Sequence, residues 1–151
     1  MVREIQTEDY QAYMNMTEEF YNSAAVLHSI PKHYREATWK EMMQSEKYLK
    51  GYILEKDGDL AGYALTSYTF SQEAGGKVVW LEEIYIRPEF RCHGLGKEFF
   101  AYVDEYIRPQ VQRIRLEIEP DNVRAKKLYL QMGYENLDYI QMVKEEKGEN
   151  K

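Results

Sequence analysis

The chain has 151 residues, enough for one domain with a single sizeable core, and a formal net charge of −6 that disfavours non-specific nucleic-acid binding, which needs clustered Lys and Arg. Its one cysteine excludes an intramolecular disulfide and suits a reducing compartment. No apolar run is long enough to span a membrane, and Glu4, Glu8 and Asp9 interrupt any signal-like start, so a cytoplasmic protein without a membrane partner is expected.

Residues 2–5 read as a short strand. Thr7 is a fair N-cap for a helix running to about Tyr21, with Glu8 and Asp9 where carboxylates suit the helix dipole. Pro31 fits the first turn of a second helix that continues through Met43, with Tyr34, Ala37, Trp39 and Met42 as packing residues. Residues 48–55 and 60–70 form a hairpin about an Asp-Gly turn, which tolerates positive φ. Ala74-Gly75-Gly76 then turns the chain into a third strand, 78–86, rich in β-branched and aromatic residues and stopped by Pro88. Leu95, Phe99, Val103 and Ile107 repeat at i, i+4 and predict a helix with one apolar stripe. Residues 112–119 alternate as a strand that Pro120 ends. Asp121 or Asn122 caps a last helix whose buried face is Ala125, Leu128 and Met132, and Gly133 stops it. Residues 136–143 predict one or two closing strands, and 144–151 a charged, frayed tail on a single domain of 1–151. The order is β-α-α-β-β-β-α-β-α-β(-β), a mixed α/β (α+β) domain with about four helices and six to seven strands.

The most informative stretch joins the third strand to the third helix through Arg91-Cys92-His93-Gly94-Leu95-Gly96. Two glycines at a helix start let the backbone approach a ligand, and the unpaired N–H groups of the first turn face outward at the positive end of the dipole. That is a phosphate site in physical terms. The spacing is neither that of a dinucleotide fingerprint nor that of a P-loop. Arg91, Gly94 and Gly96 resemble the Q/R-x-x-G-x-G/A acetyl-CoA motif of the GNAT superfamily of N-acetyltransferases. Asn122, Ala125, Leu128, Tyr129, Gly133 and Tyr134 resemble its second signature, N-x-x-A-x-x-L/F-Y-x-x-x-G-F/Y.

The resemblance implies the GNAT fold, acetyl-CoA as co-substrate with no metal, and strands 78–87 and 112–119 splayed apart to admit it. It implies main-chain bonds from Ile84 and Ile86, about Tyr85, to the pantetheine arm. The pyrophosphate would rest on the turn from Arg91 to Lys97, through Cys92, His93, Gly94, Leu95 and Gly96, with Asn122 as cap and further contact. Cys92-His93 replaces the common Gly-Lys or Gly-Arg, which predicts an ordinary backbone at Cys92 and a CoA affinity that strengthens as His93 protonates. Tyr129 would protonate the leaving thiolate.

Leu81-Glu82-Glu83 also resembles the Leu-Glu-Asp or Leu-Glu-Gly stretch of polyamine and aminoglycoside acetyltransferases, where the glutamate matching Glu82 contacts the amine. Glu82 is therefore the preferred carboxylate and Glu83 is retained beside it, since neighbours on a strand face opposite sides. The chain's 14 tyrosines predict an aromatic surround for a cation, with Tyr10, Tyr13 and Tyr21 as candidates. The expected activity is acetyl transfer to a small cationic primary amine by direct attack in a ternary complex. The alternatives are a protein lysine or N-terminal acetyltransferase and a non-catalytic acyl-CoA-binding module. Family habit adds a homodimer through the closing strands.

Overall fold

The computed structural model describes residues 1–146. Five strands make one sheet in the order β1 (Val2–Glu4), β2 (Leu49–Lys56), β3 (Asp59–Ser71), β4 (Gly76–Ile86), β5 (Arg113–Leu116). The first three pairings are antiparallel and β4–β5 is parallel. The helices are α1 (Tyr10–Tyr21), α2 (Lys32–Gln44), α3 (Leu95–Tyr102) and α4 (Val123–Gln131). The chain forms two compact units, Met1–Leu116 and the segment from Glu117 onward.

In the first unit the sheet separates two apolar clusters. On one face, Tyr13, Met14 and Met16 of α1 and Met42 of α2 pack on Ile53, Tyr63, Leu65 and Tyr85. On the other, Leu95, Phe99, Val103 and Ile107 pack on Tyr52, Leu54, Ala64, Val79 and Leu81. A four-residue repeat overruns a 3.6-residue turn, so the stripe would drift around a regular helix. The chain instead widens into a π-turn over Val103–Ile107, which keeps Val103 and Ile107 on the core.

The α1 start differs from a simple Thr7 cap. Thr7–Asp9 forms a 3-10 turn in which the Asp9 carboxylate accepts from the Gln6 N–H at 2.8 Å. Arg3 grips both Asp9 oxygens, at 2.8 and 2.9 Å, which holds the Asp9 carboxyl below its usual range. Arg35, which the sequence does not single out, is buried and donates to the Met14 carbonyl at 2.7 Å and to Thr17 Oγ1 at 3.2 Å, tying α2 to α1.

Three expectations are corrected. Among the described residues the sheet has five strands rather than six or seven, because 136–143 is irregular. Its apolar positions change phase between Tyr139 and Ile140, so no strand face is apolar throughout, and Ile140 and Met142 are both 94% exposed. The face of α4 assigned to a core is not buried: Leu128 is exposed, with Ala125 and Met132 half-buried. The fifth strand ends at Leu116 rather than 119, since its pairing stops at Leu81–Leu116. Of the expected frayed tail, 144–146 carries no regular structure and 147–151 lies outside the described residues.

Candidate active site

The site is organised by one irregularity in β4. Leu65 lies opposite Glu83, and Thr66 opposite Leu81, so Glu82 has no partner on β3 and forms a β-bulge. Val79 and Leu81 face the α3 cluster before the bulge, and Ile84 and Ile86 face it afterwards. Glu83 and Tyr85 are thereby aimed at the α1–α2 side, where strict alternation from Leu81 would have sent them to the other.

Glu83 is half-buried among phenols. Tyr63 donates to its Oε2 at 2.7 Å, and Tyr21, the last residue of α1, donates to its Oε1. Burial pushes the Glu83 carboxyl above its ordinary range; the two phenol bonds oppose that rise and the neighbouring Glu82 charge adds to it. Burial and the Glu83 charge push Tyr13, Tyr21 and Tyr63 upward as well, so all three stay protonated donors. Phe20 stands edge-on to Tyr21, Tyr63 and Tyr85 with ring centres 5.0, 6.3 and 5.8 Å apart. Tyr10 packs on Trp39, which also meets Tyr13. Glu82 lies outside this surround, exposed and accepting from Ser67 Oγ. A third carboxylate, Glu19, accepts from the Tyr85 hydroxyl at 3.1 Å and lies 3.4 Å from Arg87 Nε.

Beyond the bulge, β4 runs on past the end of its pairing with β5. The Arg87 N–H bonds Ala61 on β3 at 2.9 Å, so the main-chain groups of the alternate residues Ile84 and Ile86 point away from β3. Arg91 folds back onto this edge: its Nε donates to the Ile86 carbonyl at 3.0 Å, and its guanidinium lies 5.9 Å from the Tyr85 ring centre.

Gly94 is the N-cap of α3 at φ 81°, with no side-chain cap, and nothing lies within 4 Å of where its Cβ would stand. The first-turn N–H groups of α3, around Leu95, Gly96 and Lys97, have no partner one helical turn earlier. His93 Nδ1 lies 2.7 Å from the Arg91 carbonyl; a carbonyl only accepts, so Nδ1 carries the proton. Cys92 is exposed at φ 64°, in the left-handed region, against the ordinary backbone expected of it. The chain must reverse between Arg91 and the α3 cap, and the non-glycine residue takes the strain. Open N–H groups, a glycine cradle and an open strand edge fit a pyrophosphate with an extended amide arm.

In the second unit, Asn122 caps α4 by accepting from the Ala125 N–H at 3.2 Å. Tyr129 is half-buried, which raises its phenol pKa, and its ring centre is 6.0 Å from that of Tyr134. Gly133 ends the helix at φ 90°. Among the described residues, no group of three His, Cys, Asp or Glu is placed to hold a metal ion, and no helix is long and apolar enough to cross a membrane. Sequence reasoning missed Tyr63 and Glu19; the aromatic richness of the strand was a signal for the first, and nothing local marked the second.

A strand bulge beside a glycine cradle at a helix start fits a protein that binds a phosphorylated ligand. Residues 3–134 match the model of the acetyltransferase (GNAT) family. The chain belongs to that family, and it is an acetyl-CoA-dependent N-acetyltransferase. It is 26% identical over 138 residues, 89% of each sequence, to the uncharacterized N-acetyltransferase YhfO of Bacillus subtilis (strain 168). It is 26% identical to aminoglycoside N(6')-acetyltransferase type 1 of Salmonella typhimurium (strain LT2), covering 69% of this chain and 74% of that one. It is 27% identical to the spermine/spermidine N(1)-acetyltransferase of Bacillus subtilis (strain 168), over 58% and 60%. Among solved structures, a protein of Clostridium difficile 630 described as a possible acetyltransferase superposes with a TM-score of 0.82 at 18% identity, over 96% of both chains. AAC(6')-Iy in complex with the bisubstrate analogue CoA-S-monomethyl-acetylneamine superposes at 0.77 and 19%, over 96% and 97%. At these identities the structures establish the fold.

Proposed function

We propose that the protein acetylates a small cationic primary amine by direct attack in a ternary complex, with Glu83 rather than Glu82 as the group that receives the amine proton. The observation that carries this is the Glu83 carboxylate turned by the bulge into an aromatic surround, with its pKa raised. The relatives that act on aminoglycosides and on spermine support the substrate class.

An alkyl ammonium of pKa about 10.4 is neutral for only about one part in 2,500 at pH 7, a cost of about 4.6 kcal/mol. The phenol and phenyl rings favour a cation at the entrance. A carboxylate with a raised pKa takes one proton from the ammonium and frees the nitrogen lone pair; the nitrogen–carbon bond then forms and the carbon–sulfur bond breaks, and the second amine proton passes to solvent, which also restores the proton Tyr129 gives to the sulfur. Acetyl-CoA supplies the activated acyl group; the outward main chain at Ile84 and Ile86 holds and polarises it, and the α3 N-terminus holds its phosphates. Tyr129 provides the proton for the departing sulfur, a role that rests on its match to the second family signature.

The experiment is release of free CoA from acetyl-CoA with a panel of polyamines, aminoglycosides, amino acids and short peptides, with Tyr129→Phe in parallel. Release that requires one small amine and falls at least tenfold in Tyr129→Phe is expected. Release with peptides alone would make it a protein acetyltransferase. Acetyl-CoA binding with no release from any amine would make it a binding module.

A further inference from the structure

The two phenols on Glu83 are not equivalent. Tyr63 is 1% exposed, and its ring is fixed by Tyr13, Phe20 and Tyr85 at 5.8, 6.3 and 6.1 Å. It reaches Oε2 from the middle of β3, where the strand is paired on both sides. Tyr21 is half-buried and ends α1, and residues 22–31 after it carry no regular structure. An amine that hands a proton to Glu83 needs a lone pair on one carboxylate oxygen. Tyr63 takes a lone pair of Oε2 from its packed position in the sheet, and Tyr21 takes one of Oε1 from the last residue of α1.

We propose that Tyr63 is the fixed positioning residue of the Glu83 carboxylate, while Tyr21 occupies Oε1 in the amine's place and cedes it when a primary amine arrives. This rests on the reading of Glu83 as the base. Both phenols stabilise the charged carboxylate, so loss of either hydroxyl raises the pH at which Glu83 ionises. The other groups facing Glu83 are Tyr13 from α1 and, on its own strand, Glu82; Arg35 of α2 acts on the same site by way of Tyr13. Glu19 is engaged with Tyr85 and Arg87. None of these donates to the carboxylate, so the two tyrosines can be separated from them by substitution.

The test is the Glu83 titration, followed by NMR on protein carrying 13C at the glutamate carboxyl carbon, with Glu83→Gln assigning the signal. In the free protein, Tyr63→Phe and Tyr21→Phe each shift the midpoint to higher pH. With saturating spermine as the probe, Tyr21→Phe coincides with the unsubstituted protein, while Tyr63→Phe stays displaced. A second measurement needs no substitution in β3. In protein labelled at the tyrosine Cζ, with Tyr21→Phe as the assignment, spermine moves the Tyr21 signal and leaves that of Tyr63. Midpoints unmoved by either substitution, a Tyr21→Phe displacement that persists with spermine, or a Tyr21 signal indifferent to it would each overturn the proposal. Full CoA release by Glu83→Gln would instead refute the base reading and leave these titrations as they stand, so the two failures are distinguishable.

Discussion

Cys92 sits at φ 64°, a conformation in which an L side chain crowds its own carbonyl at a cost of about 1 kcal/mol. Its thiol is exposed and contributes no core packing that would offset this. Cys92→Gly is expected to hold or raise stability by up to about 1 kcal/mol, the relief being partly cancelled by the added freedom of glycine in the unfolded chain. Cys92→Val is expected to lose about 1–2 kcal/mol, because branching at Cβ worsens the same contact. Chemical denaturation of the three proteins ranks them, and a valine variant as stable as the glycine one would contradict the assignment. The position also shows a limit of motif reading: absence of glycine does not mean absence of the glycine conformation, because the geometry of the α3 entry dictates the backbone whatever residue stands there.

The elements themselves were largely legible, because each carried its own period. The i, i+4 stripe of α3, the Asp-Gly hairpin of β2–β3 and the Asn122 cap all stand where local chemistry sets them. What the period could not carry was the bulge. Strict alternation assigns Glu82 and Glu83 to opposite faces but cannot say where the phase slips, and that slip depends on the β3 register. Glu83, Tyr63 and Tyr21 come from three elements and meet only through it, and a motif match at Glu82 carries no information about that meeting. Likewise nothing local marks Gly62, which lies opposite Ile86 in the β3–β4 pairing. A Cβ there would come within 2.3 Å of the Tyr85 carbonyl oxygen and 3.2 Å of Ile86 Cα, both main chain. Gly62→Ala must therefore push β4 outward where Ile84 and Ile86 line the open edge. It is expected to lose about 1–3 kcal/mol of stability, as overpacking does, and to weaken CoA binding measured by calorimetry. Destabilisation with unchanged CoA affinity would mean that the edge beyond the bulge is not the pantetheine slot.

At the scale of the whole molecule, the carboxylate proposed as the base is one that the fold holds at a cost in stability. A folded-state carboxyl whose pKa lies above its unfolded value stabilises most when protonated, below the unfolded pKa of about 4.3, and that contribution is lost as pH rises through the folded value. Glu83 is such a group, because its burial outweighs the two phenol bonds. At neutral pH its charge is therefore a net burden on the fold, the reverse of Asp9, whose pairing with Arg3 contributes above the unfolded pKa and fails as pH falls. Glu83→Gln removes the charge and keeps the shape. The amide oxygen still accepts from one phenol, and the amide nitrogen can donate to the oxygen of the other. The variant is expected to melt higher than the parent at pH 7, to converge with it below about pH 4, and to release CoA at least a hundredfold more slowly, the scale of loss when a general base is removed. Thermal unfolding across pH measures the first two and the acetyl-transfer assay the third. Parallel melting curves at all pH values would mean that Glu83 titrates alike in the folded and unfolded chain. A lower melting point with the activity loss would mean that its ionised form is an asset to the fold, and that stability and catalysis at this carboxylate run together rather than against each other.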